Sequence, residues 1–189
     1  MLYNIVRAIV TPIVYLLFNI KFEGLENIKE NQTILVTFEK ITYTITATAG
    51  ENGSISPSGK IVVEIGEDTS FTFTPDTGYQ VKDVKVNSLS VGAVSEYTIT
   101  DIAKNTTIYV EFEIQTFIIT ATAGTGGTIS PSGDVKVNYG ANQAFTILAN
   151  TGYEIVSVKV DGTNKGAIES FTFSTVTQDH KIEVTFTKI

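Results

Sequence analysis

The chain contains no cysteine and a single histidine, His180. Without thiols it cannot form a disulfide or a thiolate metal site. A zinc site would need mostly carboxylate ligands, which is unusual for that metal. We therefore expect no metal, no cofactor and no catalytic residues, because the sequence shows neither a nucleophile–base pair nor a metal-ligand cluster.

Basic residues are also scarce, with 13 Lys and Arg against 20 Asp and Glu and a net charge of −7. No run of Lys or Arg offsets this charge, so we expect no binding to nucleic acid. The hydrophobic fraction of 42% and the charged fraction of 17% are those of a folded chain. Abundant Thr, Val and Ile, with 11 Phe and 8 Tyr, favour an all-β fold.

Two ungapped copies of one pattern follow each other at an offset of 74 residues. Residues 45–50 read ITATAG and recur at 119–124, and residues 55–59 read ISPSG and recur at 129–133. The absence of any gap indicates a duplication, with copies at 43–113 and 117–189. Residues 27–42 match the end of a copy and are predicted to be an orphan strand that pads the first repeat or mediates dimerisation.

Apolar and polar residues alternate between turn residues, which predicts strands and no helix inside each copy. The strands predicted in the first copy are 43–49, 60–65, 70–74, 81–86, 95–100 and 107–113. We predict two tandem small β-sandwich-like repeat domains. The segments 40–42 and 114–116 are predicted to be three-residue linkers that reach only about 10 Å.

The repeated pattern resembles the divergent internalin-type B repeats. It has a Thr-rich opening strand, the ISPSG turn, TGY at 77–79 and 151–153, VKV at 84–86 and 158–160, and a closing I-x-V-x-F at 108–112 and 182–186. Such repeats occur in tandem in bacterial surface and secreted proteins. The resemblance implies a non-catalytic extracellular spacer or adhesion module, and leaves β-grasp-like repeats as the alternative fold.

Residues 1–20 are predicted to form an apolar helix with a narrow polar stripe of Asn4, Arg7, Thr11 and Tyr15. The run is close to the roughly 20 residues that span a bilayer, although Arg7 and Pro12 interrupt it. We expect membrane association through residues 1–20, with residues 1–26 forming the helix and its lead-in segment. A helix packed on protein and an atypical export signal are the alternatives.

Residues 1–28 also resemble the beginning of bacterial 1-acyl-glycerol-3-phosphate acyltransferases, on an apolar helix followed by GLENI at 24–28. That family uses a His and an Asp four residues apart, the His as general base. His180 has no Asp at that spacing, so the catalytic motif is absent. The resemblance implies a membrane-tethered remnant of such an enzyme.

Individual candidates for chemistry are few. We interpret His180 as a solvated residue of the turn before the last strand. The glycines of 124–127 do not form a phosphate loop, because no helix pattern follows and no Lys stands at the required place. Tyr79 and Tyr153 could stack on sugars, but a Tyr after a tight turn more commonly packs at the edge of the core.

Acidic loop residues are the remaining candidates, as calcium ligands. Glu67, Asp68 and Asp76 lack EF-hand spacing and have no acidic counterparts in the second copy. We expect a protein or a cell-wall glycan as partner and a location outside the cell or at its surface, with a membrane anchor as an option. A carbohydrate-binding accessory module of a larger hydrolase is the alternative, which an exposed row of aromatic residues would favour.

Overall fold

The computed structural model describes residues 39–189. All secondary-structure elements in this range are β-strands. The helix predicted at 1–20, its lead-in segment and the orphan strand up to residue 38 lie outside the described residues. Within 39–189 no helix has the length and apolar character needed to cross a membrane.

The first repeat contains eight strands. They are β1 (Thr42–Ala49), β2 (Gly53–Ser56), β3 (Gly59–Glu64), β4 (Thr69–Pro75), β5 (Tyr79–Val86), β6 (Leu89–Gly92), β7 (Glu96–Ile99) and β8 (Thr106–Ile114). The six predicted strands are all present, with ends that shift by a residue or two. The sequence interpretation missed β2 and β6, which are both four residues long.

The second repeat has the same order of strands. They are β9 (Thr116–Ala123), β10 (Gly127–Ser130), β11 (Gly133–Asn138), β12 (Gln143–Ala149), β13 (Tyr153–Val160), β14 (Thr163–Asn164), β15 (Ser170–Phe173) and β16 (His180–Lys188). Only Gln115 lies between β8 and β9. The prediction of a three-residue linker at 114–116 is therefore wrong, because its outer two residues belong to strands.

Each repeat consists of a five-stranded sheet and a three-stranded sheet. The larger sheet has the order β3-β1-β8-β5-β6 in the first repeat and β11-β9-β16-β13-β14 in the second. The smaller sheets are β2-β4-β7 and β10-β12-β15. In both larger sheets the first and last long strands of the repeat are parallel neighbours. The antiparallel pairs are β1-β3, β4-β7 and β5-β6 in the first repeat, and β9-β11, β10-β12, β12-β15, β13-β14 and β13-β16 in the second.

The strands form where apolar side chains alternate with polar ones. In β1 the side chains of Ile45 and Ala47 are buried, while Thr46 is half-buried and Thr48 is exposed. Successive side chains of a strand point to opposite faces, so this alternation directs one face of the sheet to the core. The duplication therefore also duplicates the inward face.

The two cores use the same positions. Buried residues of the first repeat that have buried counterparts 74 positions later are Ile45, Ala47, Ile55, Val63, Phe71, Phe73, Val84, Ile102, Ile108 and Val110. In the second repeat, one apolar cluster includes residues of both sheets, such as Ile182 from the larger sheet and Phe145 from the smaller. The two sheets of the second repeat therefore share one apolar core.

The chain forms two compact units whose boundaries differ from those of the repeats. One unit comprises the described residues up to Thr74 together with Val81–Glu111, and the other comprises Pro75–Gln80 and Phe112–Ile189. The second unit thus includes the turn between β4 and β5. Within it the amide of Gln115 donates to the carbonyl of Gly78 at 2.9 Å, and Tyr139 covers Gly78.

Candidate functional site

A cluster of ion pairs lies on the side of the first repeat's larger sheet that faces away from the core. We call it the outer-face cluster, and define it as Lys82, Asp83 and Lys85 of β5 with Glu111 of β8. The Lys82 Nζ lies 2.8 Å from the Glu111 Oε1, and the Lys85 Nζ lies 3.6 Å from the Glu111 Oε2 and 3.9 Å from the Asp83 Oδ2. These side chains come together because β5 and β8 are adjacent strands of the sheet.

The electrostatics of this cluster centre on Glu111. The hydrogen bond from Lys82 and the charge of that ammonium group lower the pKa of Glu111, and the nearby Lys85 adds to the effect. Asp83 accepts a hydrogen bond from the Ser90 hydroxyl at 2.6 Å. Two ammonium groups therefore face two carboxylates, and the cluster presents paired charges of both signs at the surface.

Tyr109 borders the cluster on the same face, because it stands two residues before Glu111 on β8. Tyr109 is 37% exposed, and all other aromatic residues within 39–189 are buried or half-buried. A Cβ added to Gly50 would lie 2.9 Å from the Tyr109 hydroxyl, so the glycine leaves room for the ring. One exposed aromatic residue does not make the row expected of a carbohydrate-binding module.

The same face of the second repeat carries different side chains, with an ion pair between the Lys181 Nζ and the Glu183 Oε1 of β16 at 2.7 Å. The counterpart of Asp83 is Ser157, which is 8% exposed and bonds through its hydroxyl to that of Thr185 at 3.0 Å. Thr185 replaces Glu111, and Val156 replaces Lys82. The counterpart of Tyr109 is Glu183. The outer-face cluster is thus a property of the first repeat alone, although the cores of the repeats match.

His180 is not a solvated turn residue, so that interpretation is wrong. It is the first residue of β16, and its side chain is only 18% exposed. Its Nδ1 lies 2.8 Å from the Asp161 Oδ2, and its ring centroid lies 4.8 Å from that of Phe173. Both neighbours hold the imidazole in place.

Asp161 is held by two donors. Partial burial raises the pKa of Asp161, but the Lys181 amide and the His180 side chain outweigh it and lower the pKa below its usual value. The Lys181 amide donates to the Asp161 Oδ1 at 2.9 Å. In the first repeat Asn87 makes the equivalent bond with the Thr107 amide at 3.0 Å. This position therefore ties the hairpin turn to the last strand in both repeats.

The acidic loop residues also have structural roles. Asp68 accepts a hydrogen bond from the Asp101 amide at 2.9 Å, and its counterpart Asn142 accepts one from the Thr175 amide at 2.8 Å. Glu67 accepts a bond from the Glu64 amide at 2.9 Å. In the part of the chain that the structure describes, no group of three or more His, Asp or Glu could hold a metal ion.

Tyr79 and Tyr153 are both half-buried. A Cβ on Gly126 would overlap the ring of Tyr153, so this ring packs directly on the backbone of the glycine-rich loop. Gly126 has a φ of 104°, which L-residues rarely adopt. The loop therefore serves a turn and a ring contact with Tyr153, and neither tyrosine is fully exposed.

The sequence interpretation did not identify the outer-face cluster. Tyr109 and Glu111 alternate with the buried Ile108 and Val110 in the closing strand, so their position on the outer face follows from the pattern of that strand. The missing information was that β5 lies beside β8, because only that adjacency brings Lys82 to Glu111. Sheet order is not readable from the period of a single strand.

Comparison with known families gives one result. A family model described as "Divergent InlB B-repeat domain" matches the chain twice, at residues 43–116 and at residues 117–189. No curated protein matches the chain.

Proposed function

The chain belongs to the divergent InlB B-repeat family, and from this membership we propose that it is a non-catalytic spacer or adhesion module at the bacterial cell surface. Two tandem matches, which together cover residues 43–189, carry the proposal. Repeats of this family are typical of bacterial surface proteins. A repeat that brings no site of its own is suited to spacing or presenting other surfaces.

The arrangement of polar residues supports a non-catalytic role. His180 is engaged by Asp161 and Phe173, and the acidic loop residues cap nearby backbone amides. A general base must reach the proton that it removes from a substrate or nucleophile. Within residues 39–189 the groups most suited to such chemistry are occupied in holding turns to strands.

For the adhesion role, we assign the contact surface to the outer-face cluster with Tyr109. An exposed Tyr is common at protein interfaces, because the ring supplies apolar area while its hydroxyl bonds to polar groups. The surrounding charges of both signs would select a partner of complementary charge. The cluster is specific to the first repeat, whereas the core is shared. A surface that diverges between copies of one core is the place where a binding role can differ.

Co-sedimentation of the full chain with purified bacterial cell walls tests the adhesion role. We expect the wild type to pellet and Tyr109→Ala to stay in the supernatant. The matched control is Glu183→Ala, which changes the same position of the second repeat and should pellet like the wild type. Equal pelleting of both variants would reject the assigned surface. If the wild type does not pellet, the adhesion role is rejected and only the spacer role remains.

Membrane attachment through residues 1–20 is a separate part of the proposal. Liposome co-sedimentation of the full chain, compared with a shortened chain that begins at Lys40, tests it. Pelleting of the full chain alone would support an anchor, and would keep the acyltransferase-like remnant as an explanation of residues 1–28. If neither pellets, both ideas are rejected, while the repeats keep their proposed role.

A further inference from the structure

The first and last long strands of each repeat lie side by side and run in the same direction. In the second repeat, β9 and β16 pair in parallel from Ile119 with His180 to Ala123 with Val184. In the first repeat β1 and β8 pair in the same way. Both members of each pair are internal strands of the larger sheet, with a further strand on each outer side. Neither can therefore detach as an edge strand.

This arrangement fixes how a pulling force passes through a repeat. The chain enters the pair at the beginning of one strand and leaves it at the end of the other. Since the strands are parallel, those two points lie at opposite ends of the pair. Tension along the chain therefore acts along the strands and loads the hydrogen bonds of the ladder together. In an antiparallel hairpin the two points lie at the same end, and the bonds break one after another.

Additional hydrogen bonds extend the ladder at both ends. In the second repeat the Gly124 amide donates to the carbonyl of Val184 at 2.8 Å, and the Asp179 Oδ1 accepts from the Ile118 amide at 2.8 Å. In the first repeat the Gly50 amide donates to Val110 at 2.8 Å. The bond that Asp179 accepts has a counterpart in the first repeat, where the acceptor is a side-chain amide instead of a carboxylate.

The counterpart of Asp179 in the first repeat is Asn105, whose Oδ1 accepts a hydrogen bond from the Thr44 amide at 2.9 Å. Asn105 and Asp179 stand 74 residues apart, as do Thr44 and Ile118. Each side chain bridges from the residue before the last strand to the first strand. We refer to the parallel pair with this side-chain bridge as the clamp.

The core side of the clamp is closed to water. Ile119 and Ala121 of β9 and Ile182 and Val184 of β16 are all at most 2% exposed. A hydrogen bond that is stretched here cannot be replaced from that side by a bond to water, so its donor and acceptor are left unpaired. The clamp thus combines simultaneous loading with protection from solvent.

We propose that each repeat is a load-bearing unit, in which the clamp resists tension applied along the chain. The proposal rests on the surface-spacer function above, because a spacer between a cell and its contact is the element that carries tension. Between the two clamps only Gln115 separates β8 from β9, so little chain can extend before the second clamp is loaded.

Force spectroscopy on the full chain tests the proposal, and the absence of native cysteine allows clean attachment. In the variant with Thr116→Cys and Ile189→Cys, force is applied along β9 and β16. In the variant with Thr116→Cys and Gln178→Cys, force is applied across the same two strands at one end. We expect the first geometry to unfold at a several-fold higher force. Equal forces in the two geometries would overturn the proposal.

The side-chain bridge gives a second test in the first geometry. Asp179→Ala removes the acceptor for the Ile118 amide, and we expect a lower unfolding force. Asp179→Asn places the first repeat's residue there and keeps an acceptor, so its force should equal that of the parent. If Asp179→Ala leaves the force unchanged, the bridge is not part of the clamp.

These measurements use purified chain and do not depend on where the protein resides. Failure of the clamp would show as equal forces, with cell-wall binding and localisation unaffected. Failure of the spacer function would show as absence from the cell surface, while the difference between the two geometries persists.

Discussion

Single positions have changed their chemistry between the repeats while keeping their structural task. Asp161 and Asn87 both have a positive φ, and both accept a hydrogen bond from the amide of the closing strand. Asn and Asp are the non-glycine residues that tolerate this conformation best. The second repeat has added a charge and the contact with His180, which makes this turn sensitive to pH.

We therefore predict that Asp161→Asn reduces the acid sensitivity of the second repeat. The pKa of Asp161 is lowered in the folded protein, so its stabilising effect is complete above the ordinary Asp value near 4. The effect is lost as the pH falls through the lowered folded value, because the unfolded chain binds the proton more readily there. Denaturant unfolding at several pH values checks this.

The asparagine keeps the acceptor for the Lys181 amide, so the variant isolates the charge. We expect the wild type to exceed Asp161→Asn in stability at neutral pH, and the two to converge in acid. Parallel stability curves across the acid range would contradict the assignment.

Alanine substitutions at Gly126 and Gly166 distinguish the cost of backbone strain from the cost of a steric overlap. Both glycines have a positive φ. A Cβ at Gly126 would overlap the ring of Tyr153, whereas a Cβ at Gly166 would have no atom within 4 Å. We predict that Gly166→Ala costs about 1–2 kcal/mol from backbone strain. Gly126→Ala should cost about 1–3 kcal/mol more, because the ring must move. Equal losses of unfolding free energy would show that the ring adjusts freely.

At the scale of strands, the sequence predicted the long elements and missed the short ones. In β1 and β8 the alternation extends over eight and nine residues, which is enough for a period to be read. β2 and β6 have four residues each and exist because a neighbouring strand pairs with them. The parallel pairing of β1 with β8 joins distant parts of the sequence, which no local pattern reports.

Edge strands differ between the repeats in a way that affects solubility. β3 is the outermost strand of its sheet, and its Val62 is 67% exposed. The counterpart in β11 is Lys136, a residue that discourages pairing between sheet edges. We predict that Val62→Lys slows aggregation on heating without lowering the unfolding free energy. Light scattering during a thermal ramp measures this.

The reciprocal variant serves as the control for the edge. Lys136→Val should speed aggregation of the heated protein by exposing an apolar side chain on β11. If both variants scatter light as the wild type does, aggregation starts at another surface.

For the whole molecule, the duplication and most of the core could be read from sequence, since the buried positions recur at a fixed offset. The division into compact units could not. The second unit includes residues 75–80, where Gly78 lies against the ring of Tyr139 and accepts a hydrogen bond from the Gln115 amide. These contacts join residues far apart in the sequence, which no local pattern reports.

We predict that Tyr139→Ala destabilises the second unit by about 1–2 kcal/mol, the loss expected for a half-buried large side chain. It should also speed amide exchange in residues 75–80, because the ring no longer covers Gly78. Hydrogen exchange of this turn is the measurement, and Tyr109→Ala is a control that should leave it unchanged. Unaltered exchange in Tyr139→Ala would contradict the role given to Tyr139.

The fixed offset between the two cores has a consequence for how such a protein can evolve. Each core is completed by residues of one 74-residue period, so a gene that gains or loses a whole period still encodes complete cores. A loss of part of a period that includes strands would leave a sheet incomplete. Recombination between the similar copies produces whole-period steps, so the number of repeats can change rapidly among descendants while the fold of each repeat is inherited intact.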